Sequence, residues 1–283
     1  MNLKPAGLMR LKTLIVTFAL LLAATLSLGP AWSGQYLMFS EQCKQGDHEA
    51  KNLFKQAQDY RFGRGVTLNM EFAISRYAEA IIHGSSRALY DMGTISEEKL
   101  RWDPNNEGIK EEALSYFRQA ADGGCPEGLY KLYLWDEYGK EGLSREFPPP
   151  LLLEAAEKGA LIAMYDLGNQ YLQHNQREEG EKWLKKALEI GYGDAAIPYS
   201  RILLDRGNTR GAMGALFSGA KAGSSQALKR LAWIFSRGTY KQMNDPVYAD
   251  CLLGVANKIL PEAPPEPVTE LDKLCPPPRI MEY

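Results

Sequence analysis

The sequence predicts an all-α protein built as a solenoid of stacked helix pairs, and three observations point to it. Five glycines, Gly84, Gly124, Gly159, Gly191 and Gly223, recur at intervals of 40, 35, 32 and 32 residues. Small and apolar residues keep fixed offsets from each glycine: four residues later stand Ala88, Gly128, Ala163, Ala195 and Ala227, and eight later Met92, Leu132, Leu167, Tyr199 and Leu231. Four residues earlier stand Ala80, Ala120, Ala155, Ala187 and Gly219, and seven earlier Tyr77, Phe117, Leu152, Leu184 and Leu216. Offsets of four, seven and eight are helical spacings. A period in the thirties with two helices per unit marks a helical repeat, whose units bury their apolar faces against neighbours.

Each copy reads as one amphipathic helix ending at the glycine and a second starting just after it, with small residues where the axes must approach. The glycine suits a left-handed residue past a helix end. The stretches "AAEKGALIAMYDLGNQY" from Ala155 to Tyr171 and "YRFGRGVTLNMEFAISRYAEAIIHG" from Tyr60 to Gly84 closely resemble the Sel-1-like repeat, a relative of the tetratricopeptide repeat. Matching positions are Ala163, Leu167, Gly168, Tyr171, Tyr60, Gly63, Gly65, Val66, Ala120, Ala121, Gly124, Ala155, Ala156 and Gly159. The resemblance covers about residues 47 to 255 and implies a right-handed α-solenoid of about five to six antiparallel helix pairs, tetratricopeptide-like. Three copies depart from the pattern. The third inserts Phe147 to Pro150 at its turn, the fourth lacks the Gly-x-Gly-Val turn, and the fifth has Tyr199-Ser200 for Leu-Gly.

The chain divides into four parts: 1–33, 34–46, 47–255 and 256–283. In the first, Lys4, Arg10 and Lys12 precede an uncharged apolar run from Thr13 to Gly29, and Ala31 and Ser33 offer small-residue cleavage positions. That is the layout of a secretory signal peptide. An uncleaved anchor is the alternative, because 17 uncharged residues reach the lower edge of a membrane span. No cysteine follows the run to carry a lipid, so a soluble periplasmic or secreted protein without a stable membrane span is expected after cleavage. Residues 34–46 form a short lead, 47–255 the repeats, and 256–283 a proline-rich tail. The first repeat, with Ala57 in place of the Leu-Gly glycine, and the last helices, Gln226 to Leu260, read as caps.

Loss of the first 33 residues removes three of the 33 basic residues and leaves 35 acidic ones, a net charge near −5. That balance argues against nucleic acid, whose binding needs clustered Lys and Arg. Four cysteines in an exported chain raise the question of disulfides. Cys251 and Cys275 flank the proline-rich segment, and a bond between them would tie the tail to the last helices. Cys43 and Cys125 lie about two repeats apart, too far to join unless the lead folds back. Cys125 is therefore read as a small buried residue at a helix start.

Catalytic and metal chemistry is poorly represented. His48, His83 and His174 show no ligand spacing, and Cys-x-x-Cys, Gly-x-Ser-x-Gly, Walker and His-Glu-x-x-His motifs do not occur, so no cofactor or metal is expected. Ser96, Glu97, Glu98 and Lys99 spell Ser-x-x-Lys without a Lys-Thr-Gly partner and read as an exposed, charged helix end. Glu111 with Glu112 and Glu178 with Glu179 are adjacent acids that face different ways on a helix, and read as solvated starts of second helices. The protein is accordingly expected not to be an enzyme.

Function then falls to surface. In such solenoids the first helix of each pair lines a concave groove. Six residues after each glycine stand Tyr90, Tyr130, Tyr165, Ile197 and Lys229, and ten after stand Thr94, Leu134, Asn169, Arg201 and Trp233. Tyr90, Tyr130, Tyr165, Asn169, Arg201 and Trp233 are the candidate contacts for a protein or peptide partner, since Tyr, Trp and Arg are frequent interface anchors. An aromatic stripe at helical spacing is more often packing between repeats, which is the alternative role for these tyrosines. Two functions compete: a non-catalytic exported scaffold for a protein partner, and a cell-wall glycan binder or weak β-lactamase-like hydrolase, the latter suggested by the family resemblance. Glycoside cleavage needs two carboxylates at a set separation, and no such pair is recognisable.

Overall fold

A computed structural model describes residues 43–139, 147–238, 244–259, 268 and 270–277. The signal segment, residues 34–42 of the lead and residues 260–267 of the tail lie outside the described residues. Among the described residues no helix is long and apolar enough to cross a membrane.

The chain folds as a right-handed α-solenoid of six helix hairpins. These are α1 (His48–Phe62) with α2 (Met70–Ile82), α3 (Ser86–Lys99) with α4 (Glu107–Asp122), α5 (Pro126–Gly139) with α6 (Pro150–Glu157), α7 (Leu161–Gln173) with α8 (Arg177–Glu189), α9 (Ala196–Asp205) with α10 (Thr209–Lys221), and α11 (Ser225–Arg237) with α12 (Pro246–Lys258). A 3₁₀ turn, Gly193–Ala195, leads into α9, and a four-residue helix, α13 (Leu271–Leu274), lies in the tail.

Local chemistry starts most of these helices. Asp47, Asn69, Ser85, Asn106, Asn208, Ser224 and Asp245 each accept a hydrogen bond at the side chain from the backbone N–H three residues on. Each cap satisfies a donor that the helix leaves orphaned. The repeating glycine ends the second helices. At the first copy Gly84 has φ +84°, its N–H donates to Ile81 O (2.9 Å), and Ser85 N–H donates to Ala80 O (3.0 Å). This pair of bonds is the Schellman arrangement. It recurs at Gly124, Gly159, Gly191 and Gly223, each with positive φ. Asn175, at φ +60°, takes the left-handed position between α7 and α8 in the copy that lacks the glycine turn.

Packing explains the other conserved offsets within the chain. Tyr77, Phe117, Leu152, Leu184 and Leu216, seven before each glycine, are no more than 1% exposed. Burying a side chain of this size contributes about 1.5–3 kcal/mol. The small residues mark where backbones meet: a Cβ on Gly128 would lie 2.7 Å from Phe117 O, and one on Gly219 2.6 Å from Gly193 O.

Two disulfides close the ends. Cys251 is bonded to Cys275, which fixes α13 beside α12. Val268 N–H donates to Lys221 O (2.8 Å) and Lys221 pairs with Asp272 (2.7 Å), so this part of the tail lies along α10. Cys43 is bonded to Cys125 across 82 residues, where the sequence reading left Cys125 unpaired. The reason is a lead that folds back. Lys44 O accepts from Arg87 N–H (3.1 Å) and Ser86 Oγ (3.2 Å), and His83 O from Asp47 N–H (3.3 Å), which carries Cys43 past the first repeat to the start of α5.

Candidate functional site

The first helices of the hairpins stand side by side, with α5 against α7 and α9 against α11. Side chains stitch the early ones together. Gln58 on α1 donates to Asp91 on α3 (2.9 Å) and to the Tyr77 hydroxyl on α2 (2.9 Å). Arg61 reaches Asp91 (3.5 Å), Thr94 Oγ1 (3.2 Å) and Glu98 (2.7 Å). Glu97 on α3 accepts from Lys131 (2.6 Å) and Trp135 Nε1 (3.2 Å) on α5. Tyr130 and Tyr133 on α5 then meet Asp166 (2.5 Å) and Gln170 (2.7 Å) on α7.

Burial sets the electrostatics of these links. Asp91 is pushed up to about 6 because desolvation outweighs the attraction of Arg61 and Arg87. Arg61 is held above its ordinary value: desolvation opposes its charge, and the carboxylates of Asp91 and Glu98 more than offset it. Desolvation likewise raises Tyr130 and Asp166, and the proximity of Asp166 lifts Tyr130 further.

The candidate contacts separate into two groups. Tyr90 and Tyr130 are 4% and 6% exposed, so they are not groove anchors. Tyr90 packs against Phe117 of its own hairpin (5.7 Å between ring centroids), and Tyr130 is spent on Asp166. Tyr165 is half-buried, with its ring 5.2 Å from that of Tyr192. Thr94, Leu134 and Asn169 are half-buried, whereas Arg201 and Trp233 are exposed. The row ten residues after each glycine thus opens to solvent toward the C-terminal end, where the sequence reading missed two neighbours. Arg230 and Arg237 place their guanidinium groups 4.7 and 5.4 Å from the Trp233 ring centroid. Their spacing from Trp233, three before and four after, is the signal that puts all three on one helix face.

Other chemistry is accounted for. Ser96 is buried rather than at an exposed helix end, and donates to Glu112 (2.9 Å), which also pairs with Lys99 (3.5 Å). Glu111 pairs with Arg118 (2.6 Å) and Glu179 with Lys182 (3.3 Å). Cys43, Cys125 and Glu127 come together, but both sulfurs form the disulfide and leave no thiolate for a metal.

Helix hairpins stacked with small-residue contacts and glycine-terminated second helices define a helical-repeat solenoid, and comparison agrees with that fold. The chain is similar to a Sel1 repeat protein from Oxalobacter formigenes, at TM-score 0.56 and 19% identity, over 74% of this chain and 87% of that one. It is similar to the Pseudomonas aeruginosa protein 5086, at TM-score 0.63 and 18% identity over 84% and 92%, and to immunity protein PA5088 of the same organism, at 0.62 and 19% over 83% and 90%. Among curated proteins, an F-box protein of Arabidopsis thaliana is 28% identical over 125 residues, 42% of this chain. The chain spans about a third of that relative's length, 32%. No family model matches.

Proposed function

We propose that the chain is an exported, non-catalytic scaffold that captures a protein or peptide partner on the face made by its first helices. The observation that carries this reading is the row Thr94, Leu134, Asn169, Arg201 and Trp233, which runs across successive first helices and ends in an exposed Trp flanked by Arg. Trp and Arg are the residue types that most often dominate interface energies. Export is supported by the basic and apolar segment Lys4 to Gly29 and by two disulfides, which persist in oxidising compartments. Polar groups in the neighbourhood of the motif-like sequences are tied to one another, which supports the non-catalytic part of the reading.

The test is capture from native envelope extract by the folded chain, with retained protein and muropeptides both measured. Asn169→Arg should reduce protein capture, with unchanged circular dichroism establishing that the variant remains folded. Retention of glycan alone would overturn the scaffold reading.

A further inference from the structure

The end of the face near α9 and α11 carries cations close to an exposed indole. Arg201, Lys229, Arg230 and Arg237 are exposed. None makes an ion pair with a carboxylate among the described residues. Several cations elsewhere along the stack have carboxylate partners: Arg61 with Asp91 and Glu98, Lys131 with Glu97, Arg177 with Asp205, and Arg206 with Glu181. Arg230 and Arg237 flank the Trp233 indole, Lys229 lies one turn before it on α11, and Arg201 holds the same repeat position as Trp233 on α9, which touches α11.

Resting on the scaffold reading, we propose that this C-terminal end of the face is the docking site for an acidic peptide segment of the partner. Arg230 and Arg237, beside the Trp233 ring, have no carboxylate partner among the described residues, and a guanidinium offers paired donors that match a carboxylate. Their ring contacts fix them before the ligand arrives, which lowers the ordering cost of binding. The indole supplies contact area that a bare charge cluster lacks. A long polyanion such as nucleic acid fits less well, because the adjoining first helices α3 and α7 carry Glu97, Glu98 and Asp166, which would repel it. A short acidic segment needs only the four cations.

The experiment uses a short fluorescein-labelled peptide of alternating Glu and Gly, followed by anisotropy, against the folded chain. Saturable binding that weakens as salt is raised is expected, and a Lys-for-Glu peptide should not bind. The double variant Arg201→Glu with Arg230→Glu, and separately Trp233→Ala, should each weaken the Glu peptide by about tenfold or more, equivalent to at least about 1.4 kcal/mol. These side chains are exposed, and unchanged circular dichroism would establish that the variants remain folded. Equal affinity for all variants, or retention of anionic phospholipid vesicles or an oligonucleotide in place of the peptide, overturns the proposal. The two readings fail separately. If the charge reversal leaves native partner capture intact while Asn169→Arg, shown folded by circular dichroism, abolishes it, the face binds a partner and the acidic site is wrong. If neither variant alters capture, both readings fall.

Discussion

The Tyr130 hydroxyl donates to a carboxylate oxygen of Asp166 at 2.5 Å, crossing from α5 to α7 and joining two consecutive repeats. The ring of Tyr130 is buried, so the residue serves the stack rather than a ligand. Tyr130→Phe keeps the ring and removes the donor, leaving a carboxylate that burial already disfavours in its charged form. A loss of about 1–3 kcal/mol is expected, read from urea unfolding followed by circular dichroism. The triple replacement of Tyr90, Tyr130 and Tyr165 by serine should go further and disrupt the fold. A triple variant as stable as the parent would return these tyrosines to the surface.

Asp91 gives the first hairpins a pH signature. Its folded value is about 6, above the ordinary 3.8, so between those values the folded chain holds a proton that the unfolded chain releases. Stability then falls as pH rises through that window, and the contribution of this group is greatest below it. Asp91→Asn should flatten the profile between about pH 4 and 6, found by subtracting its unfolding free energies from those of the parent. At neutral pH the same variant should gain stability against the parent relative to its standing at pH 4, because it no longer carries a desolvated charge, while Arg61 keeps Glu98 as a partner. A difference profile that rises with pH would reverse the assignment.

The disulfides should differ in strength because they close loops of different length. On the chain-entropy account, a separation of 82 residues for Cys43–Cys125 corresponds to about 4.5 kcal/mol, and 24 for Cys251–Cys275 to about 3.5 kcal/mol. Cys43→Ser with Cys125→Ser should therefore lower the unfolding free energy more than Cys251→Ser with Cys275→Ser. The second pair of changes should free the segment around α13, seen as faster amide exchange at Leu271 and Cys275 with the central repeats unchanged. Equal losses from both variants would show that loop length does not control the effect.

The hairpins were legible in the sequence because their determinants are local and repeated. A glycine, the alanine four before it and the large apolar residue seven before it all lie within one helix and its cap. What escaped were relationships between repeats. The Cys43–Cys125 bond depends on a lead that folds back through Lys44, and nothing in the spacing of 82 residues announces that path. Tyr90 and Tyr130 share a register with Tyr165, yet their surroundings differ: Phe117 closes over one and Asp166 takes the hydroxyl of the other. Ser96 seemed exposed from its charged neighbours, whereas Glu112 of the next helix covers it. Periodicity identifies a helix face, and its depth depends on the neighbouring repeat.

Two glycines of the repeat should each cost stability on replacement by alanine, for different physical reasons. Gly84 lies at φ +84° with open space where a Cβ would go, so Gly84→Ala costs the left-handed backbone alone, about 1–2 kcal/mol. Gly128 is inside α5, where helix propensity by itself favours alanine by about 1 kcal/mol. Its Cβ, however, would meet Phe117 O at 2.7 Å and Ala121 N at 2.8 Å, both backbone atoms of α4. Those atoms cannot turn aside as a flexible side chain can, so α4 and α5 must separate, and an overpacking cost of about 1–3 kcal/mol or more outweighs the propensity gain. Gly128→Ala should lower stability, read from urea unfolding followed by circular dichroism. If Gly128→Ala stabilises the protein, α4 and α5 do not approach this closely, and the small-residue rule for the repeat fails at the contact where it is most sharply defined.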